Sequence, residues 1–195
     1  MMSIMEQEIA FIVGNGISRR EIDLNKLVGK GKIFGCNALY RDFDNWDYLV
    51  AIDDAMISEL LKIHHRPSQQ IIIPPLAERF ELEEYRFSPR ARSNAGMNAM
   101  LEAIRRGHKL LYCIGFDFLM NTDVVLQNMY DGSKNYGPET KTSIKDSYNR
   151  VRYLEWFANK FFDVKFIFVL PEGKTKTVDA EGIRAMSIQK FLNKL

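Results

Sequence analysis

Hydrophobic and polar positions along the chain follow two regimes. Short, nearly unbroken apolar runs recur at Glu8–Val13, Lys32–Cys36, Tyr48–Ile52, Gln70–Ile73, Lys109–Ile114 and Val164–Leu170. Their length and their β-branched and aromatic content predict strands. Pro74-Pro75 and Pro171 close two of them, because proline cannot continue a ladder. Between the runs lie segments of helical period. Asp54–His65 puts Ile57, Leu60, Leu61 and His64 on one face. Asn94–Arg106 carries a stripe of Met97, Met100, Leu101 and Ile104, and Gly107 follows where a left-handed residue often ends a helix. Ser143–Phe162 bears Tyr148, Val151, Leu154, Trp156 and Phe157, and Ile183–Leu195 predicts a final helix. Leu76–Arg92 is polar, aromatic and irregular, with at most one helical turn.

Strands alternating with helices, the strands apolar throughout, predict an α/β Rossmann-like three-layer sandwich around a mainly parallel sheet of about six strands. The 195 residues suit one domain, residues 1–195, and an apolar fraction of 46% is ordinary for a globular chain. No apolar run reaches the roughly 18–20 residues of a membrane helix. The segment MMSIMEQEIA lacks a basic stretch followed by an apolar core, so a cytoplasmic location is expected. Cys36 and Cys113 sit inside apolar runs and read as buried thiols. A net charge of +2 does not call for nucleic acid.

In parallel sheets ligands bind outside the carboxyl ends of the strands, and the residues there are small or hydrogen-bonding. The first run ends in Gly14-Asn15-Gly16-Ile17-Ser18, the second leads into Asn37, and the third into Asp53-Asp54. Arg90-Ala91-Arg92-Ser93-Asn94-Ala95-Gly96 precedes the Met-rich helix, and Gly115-Phe116-Asp117 follows the fifth run. Each has a plain alternative: the glycines as turn residues, Asp53 or Asp54 and Ser93 or Asn94 as helix caps, Asp117 as a partner for loop amides. Together at one sheet edge they predict a shared ligand site. Arg90 and Arg92 before a helix N-terminus suit a phosphate or carboxylate.

Known motifs narrow the chemistry. The first loop lacks the third glycine of a dinucleotide fingerprint, where Arg19 stands, and no G-K-[ST] makes it a P-loop. No Cys/His cluster has zinc spacing and no G-x-S-x-G elbow is present. Asp42-Phe43-Asp44 matches a D-x-D element but lies in a turn-like segment.

Gly14-Asn15-Gly16-x-Ser18, then Cys36-Asn37-x-x-Tyr40, then Arg92-x-x-x-Gly96 opening a helix, then Gly115-Phe116-Asp117-Phe118, resemble in order and spacing the bacterial lipooligosaccharide sialyltransferases. The resemblance spans positions 9 to 170. It extends to a wider set of small Rossmann-like proteins, some of bacteria and phages, that includes an archaeal pterin diphosphokinase. It implies a cytidine-type nucleotide-sugar across the strand ends. Asn15, Gly16 and Asn37 would lie against the nucleotide, Arg92 with Asn94 against an anionic group, and Tyr130 or Tyr136 against the leaving phosphate. The family's histidine base has no counterpart, since His64, His65 and His108 all lie outside Leu119–Lys160. Asp131, Asp146 or a tyrosine, tuned by its surroundings, would have to serve in its place.

The expected function is therefore a nucleotide-sugar-binding, glycosyltransferase-like protein needing no cofactor. Its catalytic set is Arg92, Tyr130, Tyr136 and Asp117. Its binding set is Gly14, Asn15, Gly16, Ser18, Asn37, Asp53, Asn94, Gly96 and Gly115, with no metal ligand. Two alternatives stand beside it. One is a Mg²⁺-dependent diphosphate transferase using Asp53, Asp54 and Asp117. The other is a non-catalytic binding or assembly protein of phage origin, in which the aromatics of YRDFDNWDY and RYLEWFANKFF form a homo-oligomer seam unless they fill the core.

Overall fold

The computed structural model describes residues 9–79, 93–120 and 127–195. Seven strands form one all-parallel sheet: β1 (Ile9–Val13), β2 (Lys32–Cys36), β3 (Tyr48–Val50), β4 (Gln70–Ile72), β5 (Leu110–Ile114), β6 (Lys165–Leu170) and β7 (Ile183–Ser187), in the order β4-β3-β2-β1-β5-β6-β7. The helices are α1 (Asp54–Leu60), α2 (Ala95–Arg105), α3 (Ile144–Lys160) and α4 (Ile188–Leu192), with short 3₁₀ turns after β1, β2 and β5. The architecture is the expected Rossmann-like one, with one strand more than the apolar runs suggest.

Strand pleating sends alternate residues to opposite faces. Ala10, Ile12, Leu111 and Cys113 pack against α2 and α3. Phe11, Val13, Tyr112 and Ile114 pack against α1, α4 and the 3₁₀ turns. Right-handed crossovers account for the division. From β1 to β4 the chain winds toward one edge and its connections fall on the second face. From β5 to β7 it winds the other way and its connections fall on the first. The winding reverses between β1 and β5, so the segments leaving those two strands part toward opposite faces.

Two expectations change. Ile183–Leu195 is not one helix: Ile183–Ser187 pairs in register with β6, Phe166 opposite Ile183 and Leu170 opposite Ser187, and α4 starts only at Ile188. As an edge strand β7 exposes Arg184 and Ala185 and so lacks a continuous apolar run. The helix after β3 ends at Leu60, leaving Leu61 and His64 exposed. The other helices keep their faces. Gly107 ends α2 at φ +90°, and Leu154 and Phe157 are buried beneath α3, although Tyr153 rather than Tyr148 lies on its inner side.

The aromatic stretches divide between core and surface. Phe43, Trp46, Tyr153 and Phe157 are buried, while Phe162 is 84% exposed. Among the described residues no helix is long and apolar enough to cross a membrane.

Candidate functional site

A cleft of about 530 Å³ opens at the carboxyl edge of the sheet, over the point where the winding reverses. Of the expected site residues, Gly14, Asn15, Gly16, Asn37, Asp53, Asn94, Gly96, Gly115, Asp117 and Tyr136 line it. Ser18 and Tyr130 do not. Arg90 and Arg92 lie outside the described residues.

The glycines are bare for the protein's own backbone. The Gly14 N–H donates to the Ile114 carbonyl at 2.8 Å and the Gly16 N–H to the Gly115 carbonyl at 2.9 Å, so the loops after β1 and β5 continue side by side past the sheet. A Cβ on Gly14 would stand 2.7 Å from the Gly115 oxygen. Gly115 itself holds φ +74°, a region that favours glycine. Gly96 is required by the Phe116 ring, 2.6 Å from where its Cβ would lie. The close approach that the sequence motif implied is that of one loop to another.

Ser18 belongs to the same seam. Its backbone N–H donates to the Asp117 carboxylate at 3.1 Å and its hydroxyl donates to the other oxygen of that group. Ser18 therefore ties the first loop to the loop after β5 and does not line the cleft. Burial raises the Asp117 pKa, against the pull of the hydrogen bonds from Ser18 and Ile17.

Asn15 reaches under the cleft floor. Its Nδ2 donates to the Cys36 carbonyl at 3.1 Å, which fixes the other amide atom, Oδ1, as an acceptor. That oxygen is buried without a partner, on a residue 8% exposed. The Tyr136 hydroxyl, on a residue 7% exposed, makes no hydrogen bond of normal geometry, though the Asn15 side chain and the Ala38 backbone lie near enough to oppose the rise in its pKa that burial causes. Buried polar groups are rarely left unsatisfied, each costing about 1–3 kcal/mol. The two groups are neighbours in the cleft, and neither is fully satisfied within the protein.

Asn37 sits at φ +50°, unusual for a residue with a side chain. Its amide donates to the Asp53 carboxylate, leaving its own Oδ1 buried and unpartnered. Asp53 occupies the N-cap position of α1 but makes no capping bond, so the helix-cap explanation fails there. Its pKa is raised by the walls around it, against the favourable effects of Asn37 and Arg150. Asn94 does what a cap does: it accepts from the Met97 N–H at 2.9 Å. Cys36, also in the lining, donates to the Val13 carbonyl, and burial pushes its thiol up to about 12.

Tyr130 is committed elsewhere. Its hydroxyl accepts from Arg19 Nη2 at 2.8 Å and donates to Asp42. Arg19, 2% exposed, also pairs with Asp42 at 3.2 Å. The third-glycine position of the sequence motif thus holds a buried guanidinium, and Asp42 of the D-x-D match is its counter-ion. Arg41 holds the neighbouring loop. It pairs with Glu59 at 2.6 Å, donates to Ser133 Oγ and the Lys134 carbonyl, and lies over the rings of Tyr130 and Tyr136 at 5.7 and 5.6 Å. The Met129 N–H donates to the Asn15 carbonyl at 2.8 Å. These contacts seat Tyr136 over the first loop.

Sequence reasoning missed the wall contributed by the start of α3. Lys141, Thr142 and Arg150 line the cleft beside Asp146, which was expected only as a replacement base. Arg150 stands four and seven residues before the buried Leu154 and Phe157, on the inward stripe of the helix, and a charge at such a position was a legible signal. The expected carboxylate bases are both engaged. Asp131 accepts from the Asn128 N–H at 3.0 Å, and Asp146 closes a capping box with Ser143. Among the described residues no histidine lines the cleft. The carboxylates of the diphosphate-transfer alternative are dispersed. Asp54 pairs with Arg79 at 3.1 Å, Asp117 is taken by Ser18, and among the described residues no three His, Cys, Asp or Glu side chains are grouped to hold a metal ion.

No family model matches the chain, and no curated protein matches it. One solved structure that is similar to it is of the sialyltransferase CstII from Campylobacter jejuni in complex with a substrate analogue, cytidine-5'-monophosphate. The identity is 16%, over 85% of this chain and 81% of that one, with a TM-score of 0.45. A likeness of that degree assigns neither family nor activity.

Proposed function

We propose that the protein binds a nucleotide-sugar in this cleft and acts as a glycosyltransferase-like enzyme. The observation that carries the reading is the unpartnered Asn15 Oδ1, on a residue over nine-tenths buried, in a cleft at the winding reversal of a parallel sheet. Such reversals are where parallel α/β folds seat nucleotides, and the cleft volume suits a ligand of that size.

The polarity of the amides favours a ligand that donates. Asn15 is held as an acceptor by Cys36, and Asn37 by its own donation to Asp53. Ribose hydroxyls and the exocyclic amino group of cytosine meet two acceptors well, and the O4 of uracil does not. A cytidine-type donor is the favoured ligand. Tyr136 would donate to an oxygen of the donor. Asp53 and Asp117 are the two carboxylates of the lining that burial raises, and either would serve as the proton acceptor.

A panel of CMP, a CMP-sugar, UMP, AMP and ATP, each with and without Mg²⁺, tests the reading by thermal shift and donor turnover. A ligand selective for the native state at a hundredfold excess over Kd adds about 2.7 kcal/mol. The expected result is the largest shift with cytidine compounds, independent of Mg²⁺, with CMP released from the CMP-sugar. Mg²⁺-dependent adenine binding would instead support diphosphate transfer. Binding without turnover would support a non-catalytic module, a reading the missing histidine favours. No shift with any member would remove the nucleotide reading.

A further inference from the structure

We infer that Arg150, flanked by Lys141, forms an anion subsite at the α3 wall of the cleft, which takes the phosphate or carboxylate group of the ligand. The inference deepens the nucleotide-sugar reading and rests on it for the identity of the ligand, though not for the existence of the subsite.

The charge map of the cleft carries the argument. Among the described residues its lining holds five acidic side chains, Asp53, Asp117, Asp131, Glu139 and Asp146, against two cations, Lys141 and Arg150. A phosphate approaching the loops after β1 and β5 meets Asp117, whose burial already penalises its charge. At the α3 wall it meets a guanidinium instead. Arg150 Nη1 donates to Thr142 Oγ1 at 2.7 Å, so the group is braced within the wall. Its charge favours the ionised form of Asp53, another residue of the lining. Arg150 is only partly exposed, and a half-desolvated guanidinium binds an anion more strongly than one free in solvent.

The geometry also fits a ligand that is neutral at one end and anionic at the other. The unpartnered amide oxygens of Asn15 and Asn37 lie at the ends of β1 and β2. Arg150 lies on a different element, α3, in the lining of the same cleft. A nucleoside placed on the amides would direct its phosphate, or an attached sugar acid, toward Arg150.

The test compares CMP, cytidine, inorganic pyrophosphate and glucuronate by calorimetry on the wild-type protein and on Arg150→Gln. Arg150→Gln should weaken CMP about 10- to 100-fold, the worth of a hydrogen-bonded charge, and leave cytidine unchanged. Arg150→Lys should recover part of the loss, and Lys145→Gln, an exposed lysine of the same helix outside the lining, should have no effect. A loss of glucuronate binding alongside that of CMP would show that the subsite takes a carboxylate as well. If no nucleotide binds but pyrophosphate binds the wild type and not Arg150→Gln, the subsite stands and the nucleotide reading falls. Equal wild-type affinity for CMP and cytidine, CMP binding untouched by Arg150→Gln, equal losses in Arg150→Gln and Lys145→Gln, or no binding by any of the anions would overturn it. Should Arg150→Gln not fold, Arg150→Lys and Lys141→Gln carry the comparison, each expected to weaken CMP more than cytidine; CMP binding unaltered by both would overturn it equally.

Discussion

A Cβ placed on Gly16 would stand 2.5 Å from Cγ of Asp117 and 2.6 Å from the Gly115 carbonyl oxygen. The glycines of Gly14-Asn15-Gly16 thus make room for the loop after β5, and only Asn15 between them offers a side chain to the cleft floor. Gly16→Ala should therefore cost about 1–3 kcal/mol of stability, the usual penalty for overpacking against atoms that cannot move aside. Gly115→Ala should cost at least as much, because it adds a strained left-handed backbone. Urea denaturation checks both. A Gly16→Ala protein of unaltered stability that had lost only ligand affinity would show that the glycine serves the ligand.

The two tyrosines of the 127–141 segment should separate cleanly. Tyr130→Phe removes a hydroxyl that Arg19 and Asp42 both use and should cost about 1–2 kcal/mol of stability, with little effect on ligand affinity. Tyr136→Phe removes a buried hydroxyl that makes no hydrogen bond of normal geometry, so its stability should be unchanged or slightly higher while ligand affinity falls. Asp42→Ala should be the severest of the three, near 3 kcal/mol, because it leaves the buried Arg19 guanidinium without its counter-ion. Chemical denaturation and calorimetry on the same three variants decide it.

Much of this was legible in the sequence. The apolar runs marked six of the seven strands, and the residues at their ends do meet in one cleft. The rest was hidden for identifiable reasons. β7 is an edge strand with a polar outer side, so periodicity alone reads Ile183–Leu195 as helix. Ser18 and Tyr130 resemble ligand contacts as residue types, but their hydroxyls are taken by Asp117 and by Arg19 with Asp42, partners distant in sequence. Asn94 was read both ways and is a cap. Arg150 was overlooked because attention stayed on loops after strands, and the cleft borrows a wall from a helix.

Asp117 should leave a mark on the pH dependence of stability. Burial raises its folded-state pKa above the ordinary 3.8, so between those two values the native state holds a proton that the unfolded state has lost. Its contribution is fully present below 3.8 and declines as pH rises through the folded value. Asp117→Asn, which cannot ionise, should lack that step, and subtracting its urea-midpoint curve from that of the wild type between pH 3 and 7 isolates it. A difference curve rising with pH would show that the Ser18 hydrogen bonds outweigh burial and that the carboxylate is held ionised.

Asn15 gives the most direct test of the cleft's purpose. Its amide is oriented by one bond to the Cys36 carbonyl, so its oxygen presents a fixed acceptor. Asn15→Ala should cost little stability, because the protein loses one hydrogen bond but also sheds an unsatisfied oxygen. Ligand affinity should fall by about 1–3 kcal/mol, as the donor that met that oxygen is left buried without a partner. Asn15→Asp separates acceptor strength from geometry. It keeps an oxygen toward the cleft but turns the other against the Cys36 carbonyl, so it should destabilise the fold at neutral pH and recover as the carboxyl protonates. Stability measured at pH 5 and 8, beside calorimetric affinity for CMP, distinguishes these effects. A stable Asn15→Ala protein with wild-type CMP affinity would mean that the nucleotide, if it binds, does not use this oxygen.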